Sequence, residues 1–447
     1  QASGLNSSSL SQRTGELALA LQEYEVARVN LEPLVDNHTD DVKLLTTYGS
    51  VLESTSDWNS ALRIYQRAIN ITPDDESLSA KIGACCLALD NHKDAIATLV
   101  PAATKHTTDL ELQKAASKAY MLAEMWSDAL PYLERVINLT PDDTISIKET
   151  ALVSSKSGDQ QRAIELLHRA SALDPDDASI HSDLSKHYQN SERWSEAKNA
   201  LGKALALEPQ NAKLHKQMAD CLLMLGDEKE ALDILHQAIN IDPEDLGVLE
   251  MLGESQYKSQ KYQHAHDTFL RAADLSKSDA NSSESLRASY LARAGDSLIE
   301  QKQKAKATAL WQKALLEDPQ NSTLQKKLGE VLMVQDRYKE ASTAFESAIE
   351  VDSENTNAVL GAAEAAMAIG EQNRAKRHLN NIGADCFESA DASYRAGLLH
   401  FQLENYEAAL SAFKVSLDLI PEQGIYRAML ARVLSLTANS STAAKEA

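Results

Sequence analysis

The stretch INLTPDD (137–143) returns as SALDPDD (171–177), LALEPQN (205–211) and INIDPED (239–245), each 34 residues after the last. Prolines outside these four segments keep the same step. Pro73 and Pro141 are 68 apart, and Pro319 and Pro421 are 102 apart, two and three times 34. The one irregular interval, Pro243 to Pro319, is 76, or twice 34 plus 8. A fixed period of this length marks a chain built from stacked supersecondary units.

A frame set on the prolines starts repeats at 8, 42, 76, 110, 144, 178, 212 and 246. An eight-residue insertion, Ala280 to Arg287, follows, then repeats at 288, 322, 356 and 390 and a partial one at 424. Positions not used to set the frame test it. The twentieth residue is alanine every time: Ala27, Ala61, Ala95, Ala129, Ala163, Ala197, Ala231, Ala265, Ala307, Ala341, Ala375, Ala409 and, in the partial repeat, Ala443. The eighth is glycine in seven repeats (Gly15, Gly49, Gly83, Gly253, Gly295, Gly329, Gly397) and alanine or serine in the other five. The twenty-seventh is alanine in eight of twelve, and the seventeenth is aromatic in seven, among them Trp58, Trp126 and Trp194.

Each repeat holds two amphipathic stretches of about thirteen residues, the length of an ordinary helix. Gly158, Gly226 and Gly370 lie at the break between them, where glycine takes the left-handed turn that ends a helix. The small residues at positions 8 and 20 allow close helix approach. Proline at 32 ends the second helix, and the acids after it, as in Asp142-Asp143, Asp176-Asp177 and Glu244-Asp245, are placed to cap the next. Pro33, Pro101 and Pro131 fall inside second helices, where kinks are expected.

The period, small-8, aromatic-17, Ala-20, Ala-27 and Pro-32 resemble the tetratricopeptide repeat family, over residues 8 to 447. The resemblance implies an all-α, right-handed α-solenoid of about twelve helix-turn-helix units plus a partial one. It also implies that first helices line a concave groove that binds proteins or peptides. The expected organisation is a flexible tail (1–7), repeats 1–8 (8–279), a polar insertion (280–287) read as a longer loop or a helix extension, repeats 9–12 (288–423), and a partial or capping unit (424–447). In that last unit the helix is expected over Ile425 to Thr437. Ala443 in register points to a natural chain that continues past 447, and Gln1 at the start to a fragment or a processed form.

Composition narrows function. With 66 acidic against 44 basic residues, the net charge of −22 disfavours nucleic acid and anionic membranes as partners. Many of these acids mark repeat junctions, so they report helix starts more than a ligand. No phosphate loop, HExxH, CxxC or GxSxG occurs, and neither a cofactor, a metal nor enzymatic activity is expected. Four cysteines cannot build a disulfide framework; Cys85 and Cys221 share position 10 and read as buried. His181 and His187, like His264 and His266, read as scattered surface residues.

Within the groove positions that the resemblance implies, Lys114, Lys118, Lys148, Lys186, Lys213 and Lys216 form a basic stripe suited to an acidic peptide. Glu111, Glu149, Asp183 and Asp220 are interspersed with them and allow a bland alternative of a solvated mixed face. Neither the chaperone-tail carboxylate clamp nor the asparagine ladder known in the family is present. N-x-Ser/Thr triplets at repeat junctions (Asn37, Asn70, Asn138, Asn281, Asn321) are candidate glycosylation sites, with chance occurrence as the alternative. The leading expectation is a non-catalytic interaction scaffold. The alternatives are a secreted or surface subunit that self-associates end to end into a filament, and the regulatory part of a larger enzyme. The compartment stays open between cytoplasmic and secreted, periplasmic or extracellular.

Overall fold

The computed structural model describes residues 2–36, 40–278, 283–380, 382 and 389–446. Among them are twenty-five α-helices and no strand. They alternate as first and second helices of twelve repeats, with a final helix, Gly424–Glu446. The arrangement is an all-α helical-repeat solenoid. The chain falls into two compact halves, Gln1–Gly226 and Asp227–Ala447, and the division lies in the turn between the two helices of repeat 7.

In the N-terminal half, the second helices of repeats 1 to 6 pack on their own first helix and on the first helix of the next repeat. Repeats 8 to 10 of the C-terminal half do the same. The periodic alanines at position 20 lie at these contacts and are fully buried in all twelve repeats. Position 8 meets position 24 of its own repeat. A Cβ built on Gly49 would lie 2.3 Å from Tyr65, on Gly253 2.6 Å from Phe269, and on Gly397 2.5 Å from Phe413. Wherever position 24 is aromatic, position 8 is glycine. Where position 8 is alanine or serine, as in Ala151 and Ser185, position 24 is leucine, here Leu167 and Leu201. In the repeats with a ring at 24 there is no side chain at 8, as dense interiors demand, whereas Gly15 and Gly83 face Leu31 and Leu99 without that exchange.

The turn between paired helices is more uniform than its glycines suggest. All twelve residues at position 15 have positive φ, and nine are not glycine: Gln22, Ser56, Asp90, Glu124, Glu192, Gln260, Lys302, Asp336 and Glu404, at +56° to +62°. The geometry is a Schellman cap. In repeat 6, Arg193 N–H donates to Tyr188 C=O at 2.8 Å and Glu192 N–H to Gln189 C=O at 2.9 Å. Two hydrogen bonds per turn hold a conformation that L-residues otherwise avoid.

The junction acids cap as expected. Asp75, Asp143, Asp177 and Asp245 each accept a backbone N–H from the first turn of the following helix. Several junction proline carbonyls are latched by a side chain that lies beyond the junction. His181 Nε2 donates to Pro175 C=O at 3.1 Å, Gln325 Nε2 to Pro319 C=O at 2.7 Å and Arg271 Nη2 to Pro243 C=O at 2.6 Å.

Several details differ from the sequence reading. The first helix starts at Ala2, inside the stretch expected as a tail. The insertion adds helix on its described flanks: the second helix of repeat 8 runs to Ser278 and the next first helix starts at Glu284, capped by Ser283. The closing helix continues beyond Thr437 to Glu446. The helices that contain Pro33, Pro101 and Pro131 are continuous through them. His181 and His187 are buried, which corrects their reading as surface residues. They sit at positions 4 and 10 of one first helix, two flanks of its buried stripe. There they donate to the junction loop and, from Nδ1, to Gln160 Oε1 at 3.0 Å.

Candidate functional site

The first helices leave one face open. In Thr144–Lys156, positions 3, 4, 7, 8, 10 and 11 are buried as Ser146, Ile147, Thr150, Ala151, Val153 and Ser154. Positions 2, 6 and 9 are exposed, with Ile145 at 67% and Leu152 at 47% of full accessibility. Two exposed aliphatic side chains on one helix face, set among lysines, are available for contact with a partner.

The candidate lysines fall into two groups. Lys114 reaches Asp143 at 3.7 Å and Lys148 reaches Asp177 at 2.9 Å. Each links position 5 of one repeat to the N-cap of the next first helix, so it is already engaged. Ser146 leads in holding the Asp143 carboxyl below its ordinary range. At Asp177 burial works against ionisation, but hydrogen bonds from Ser179 and Lys148 outweigh it and the carboxyl is lowered too. Lys186 pairs with Asp183 on its own helix at 2.7 Å. Lys118 and Lys213 are exposed and form no ion pair among the described residues. Lys216 is half-buried in the same first helix as Lys213.

A second charge pattern escaped the sequence reading. Position 6 of one repeat supplies a cation to the preceding repeat. Lys81 reaches Ser50 Oγ at 3.1 Å and Glu53 at 3.4 Å. Arg293 reaches Glu254 at 2.6 Å, Lys327 reaches Asp296 at 3.0 Å and Arg395 reaches Glu364 at 2.8 Å. The signal was present as a cation at position 6 in several repeats, but the pairing needs the register between first helices of adjacent repeats. Each such half-exposed pair is worth little by itself.

Chemistry is sparse elsewhere. Among the described residues no group of three or more His, Cys, Asp or Glu is placed to hold a metal. No helix is long and apolar enough to cross a membrane, again among the described residues. Cys85, Cys86 and Cys221 are free thiols and buried, as expected for Cys85 and Cys221. Burial, with Glu53 nearby, pushes Cys85 up to about 12, far from a reactive thiolate. Trp58 and Trp126 open second helices and pack against the apolar core. Of the candidate glycosylation sites, Asn70 and Asn138 are exposed in the last turns of second helices, and Asn321 caps a first helix. Asn37 and Asn281, like Cys386, lie outside the described residues.

Two tetratricopeptide repeat models match the chain, one over residues 191–252 and one over 293–355, 326–375 and 383–423. No curated protein matches. Similar solved structures include YrrB, described as a TPR protein with an unusual peptide-binding site (21% identity over 45% of this chain and 97% of that one, TM-score 0.37). They also include the Cut9–Hcn1 hetero-tetramer of the APC/C (12% identity, 96% of each chain, TM-score 0.36) and a tetratricopeptide repeat protein from Parabacteroides merdae (16% identity, 65% and 98%, TM-score 0.33). The 34-residue frame, its buried alanines, its paired helices and the two matching models lead to one assignment: the chain belongs to the tetratricopeptide repeat family.

Proposed function

We infer that the protein is a non-catalytic scaffold that holds an extended segment of a partner protein along its first-helix face. Proteins of this family bind protein or peptide partners in general. The observation that carries the reading here is the exposed pair Ile145 and Leu152, on an otherwise charged face whose neighbouring first helix presents Lys118. Apolar side chains at that spacing, rimmed by charge, suit a short amphipathic segment.

For the N-terminal half the reading is an acidic segment with interspersed aliphatic residues. Of the lysine stripe, Lys118 and Lys213 are the groups with charge to offer, since Lys114, Lys148 and Lys186 already face carboxylates. A fluorescein-labelled peptide of alternating Glu and Leu tests this on the full chain by polarisation. Lys118→Glu together with Lys213→Glu is expected to weaken binding by about tenfold or more. Unchanged affinity in that double variant overturns the acidic-segment reading.

A further inference from the structure

The position-6 cations of the C-terminal half form a ladder with one rung missing. The first helices concerned are Leu246–Lys258, Glu284–Glu300, Ser322–Val334, Thr356–Ala368 and Ala390–Gln402. Position 9 carries a carboxylate in the first four: Glu254, Asp296, Glu330 and Glu364. Arg293, Lys327 and Arg395 answer the first, second and fourth. The residue placed to answer Glu330 is Gly361. Glu330 is exposed and forms no ion pair among the described residues. Its field reaches Arg395, but that guanidinium is already held through Nε and Nη2 by both Glu364 oxygens, each at 2.8 Å. Lys326, one turn before Glu330 on the same helix, forms no ion pair among the described residues either.

Packing explains the gap. A Cβ on Gly361 would stand 2.5 Å from Cε1 of Phe345, a ring buried between repeats. Lysine or arginine at 361 would have to displace that ring, so completing the ladder there would disturb the core. The five first helices together carry eight carboxylates against six Lys and Arg side chains. They keep a surplus negative charge, which repels an acidic segment.

Apolar room adjoins the gap. One turn along from Gly361, Glu364 and Arg395 wall a pocket of about 380 Å³ whose apolar lining is Met367, Ala368, Leu398 and Leu399. One turn past Glu330 on its own helix, Val334 is 64% exposed.

We propose that a partner segment crosses the first helices of repeats 10 to 12, with an arginine or lysine side chain on Glu330 and an aliphatic side chain in the Met367–Leu398 pocket. The inference rests on the peptide-scaffold reading above and gives the partner chemistry for the C-terminal half: basic and aliphatic residues in alternation. The partner's cation supplies the rung that Phe345 denies to position 361.

The test uses the full chain and a fluorescein-labelled peptide of repeated Arg-Ala-Leu triplets carrying a photo-cross-linking benzoylphenylalanine. A matched peptide has Glu in place of Arg. The arginine peptide is expected to bind and to cross-link to the first helices of repeats 10 to 12, and the glutamate peptide not to. Glu330→Gln, a change at an exposed site, is expected to weaken binding about tenfold with the helical circular dichroism unchanged. Cross-links on those helices with unchanged affinity in Glu330→Gln, or equal binding of the glutamate peptide, overturn the inference and leave the scaffold reading standing. Cross-links confined to second helices overturn both.

Discussion

Gly295 faces Trp311 so closely that a Cβ on the glycine would lie 2.4 Å from both Cδ1 and Nε1 of the indole. The ring cannot retreat without loss, because Nε1 donates to the carbonyl of Ala292 at 3.0 Å. The two residues are positions 8 and 24 of repeat 9, and the other glycine repeats juxtapose the same positions. Glycine is present there for space, since its backbone is ordinary helix.

A pair of glycine-to-alanine changes separates space from propensity. Gly295→Ala is expected to cost about 1–3 kcal/mol through overpacking, despite alanine's better helix propensity. Gly202→Ala, also within a helix but with no atom within 4 Å of the added Cβ, is expected to gain about 0.5–1 kcal/mol. Urea unfolding followed by circular dichroism reads both. A stable Gly295→Ala would show that the indole relocates freely.

The left-handed turn gives the opposite case, in which space is plentiful and conformation decides. Gly226 has φ +82° and nothing within 4 Å of an added Cβ, so Gly226→Ala should lose about 1–2 kcal/mol from backbone strain alone. Glu192→Gly, at φ +57°, removes that strain but adds unfolded-state freedom, and should leave stability within about 1 kcal/mol of the parent or raise it. Thermal midpoints of the two variants should therefore move in different directions or by clearly different amounts.

At the junction of repeats 5 and 6, Asp177 does two jobs: it caps the helix Ala178–Asn190 and pairs with Lys148. The cap outweighs the pair, because a half-exposed ion pair contributes about 0–1 kcal/mol and a lost cap costs about 0.5–2. Asp177→Ala should therefore destabilise more than Lys148→Met, and Asp177→Asn should recover most of the loss. Equal losses in Asp177→Asn and Asp177→Ala would assign the stability to the charge instead.

Three histidines set a pH dependence. Burial lowers His187 and His400 below the ordinary histidine value near 6.5, and burial followed by Lys203 and Arg193 lowers His168. With the folded value below the unfolded one, the unfolded chain takes up protons first as pH falls. Stability is then full above about 6.5 and declines as pH drops below it. The lowered carboxyls of Asp143 and Asp177 add a separate loss that begins only near the ordinary carboxylate range, at more acid pH. Thermal midpoints measured from neutral to mildly acid pH should fall, and His187→Gln should flatten part of the slope. A midpoint that rises on acidification contradicts the assignment.

Much of this is legible in the residues because a repeat states each contact many times over. The period, Ala-20 and the capping acids need no coordinates, since each reflects a local or nearest-neighbour rule repeated along the chain. Cys85 and Cys221 read correctly as buried because position 10 recurs. The buried His181 and His187 read wrongly because a polar side chain carries no mark of its partner, and Pro175 and Gln160 come into reach only when helices pack. The candidate lysines show the same limit: their spacing puts Lys114 and Lys148 on the open face, but only the fold brings Asp143 and Asp177 against them.

By itself, then, the sequence determined the helical-repeat class, the register of its twelve units and which small residues lie between helices. Those depend on periodicity along the chain. The tertiary structure decided which charges are already spent and why Glu330 is left without a cation opposite Gly361. Those depend on distances between helices, where one buried ring, Phe345, removes a side chain from the neighbouring repeat.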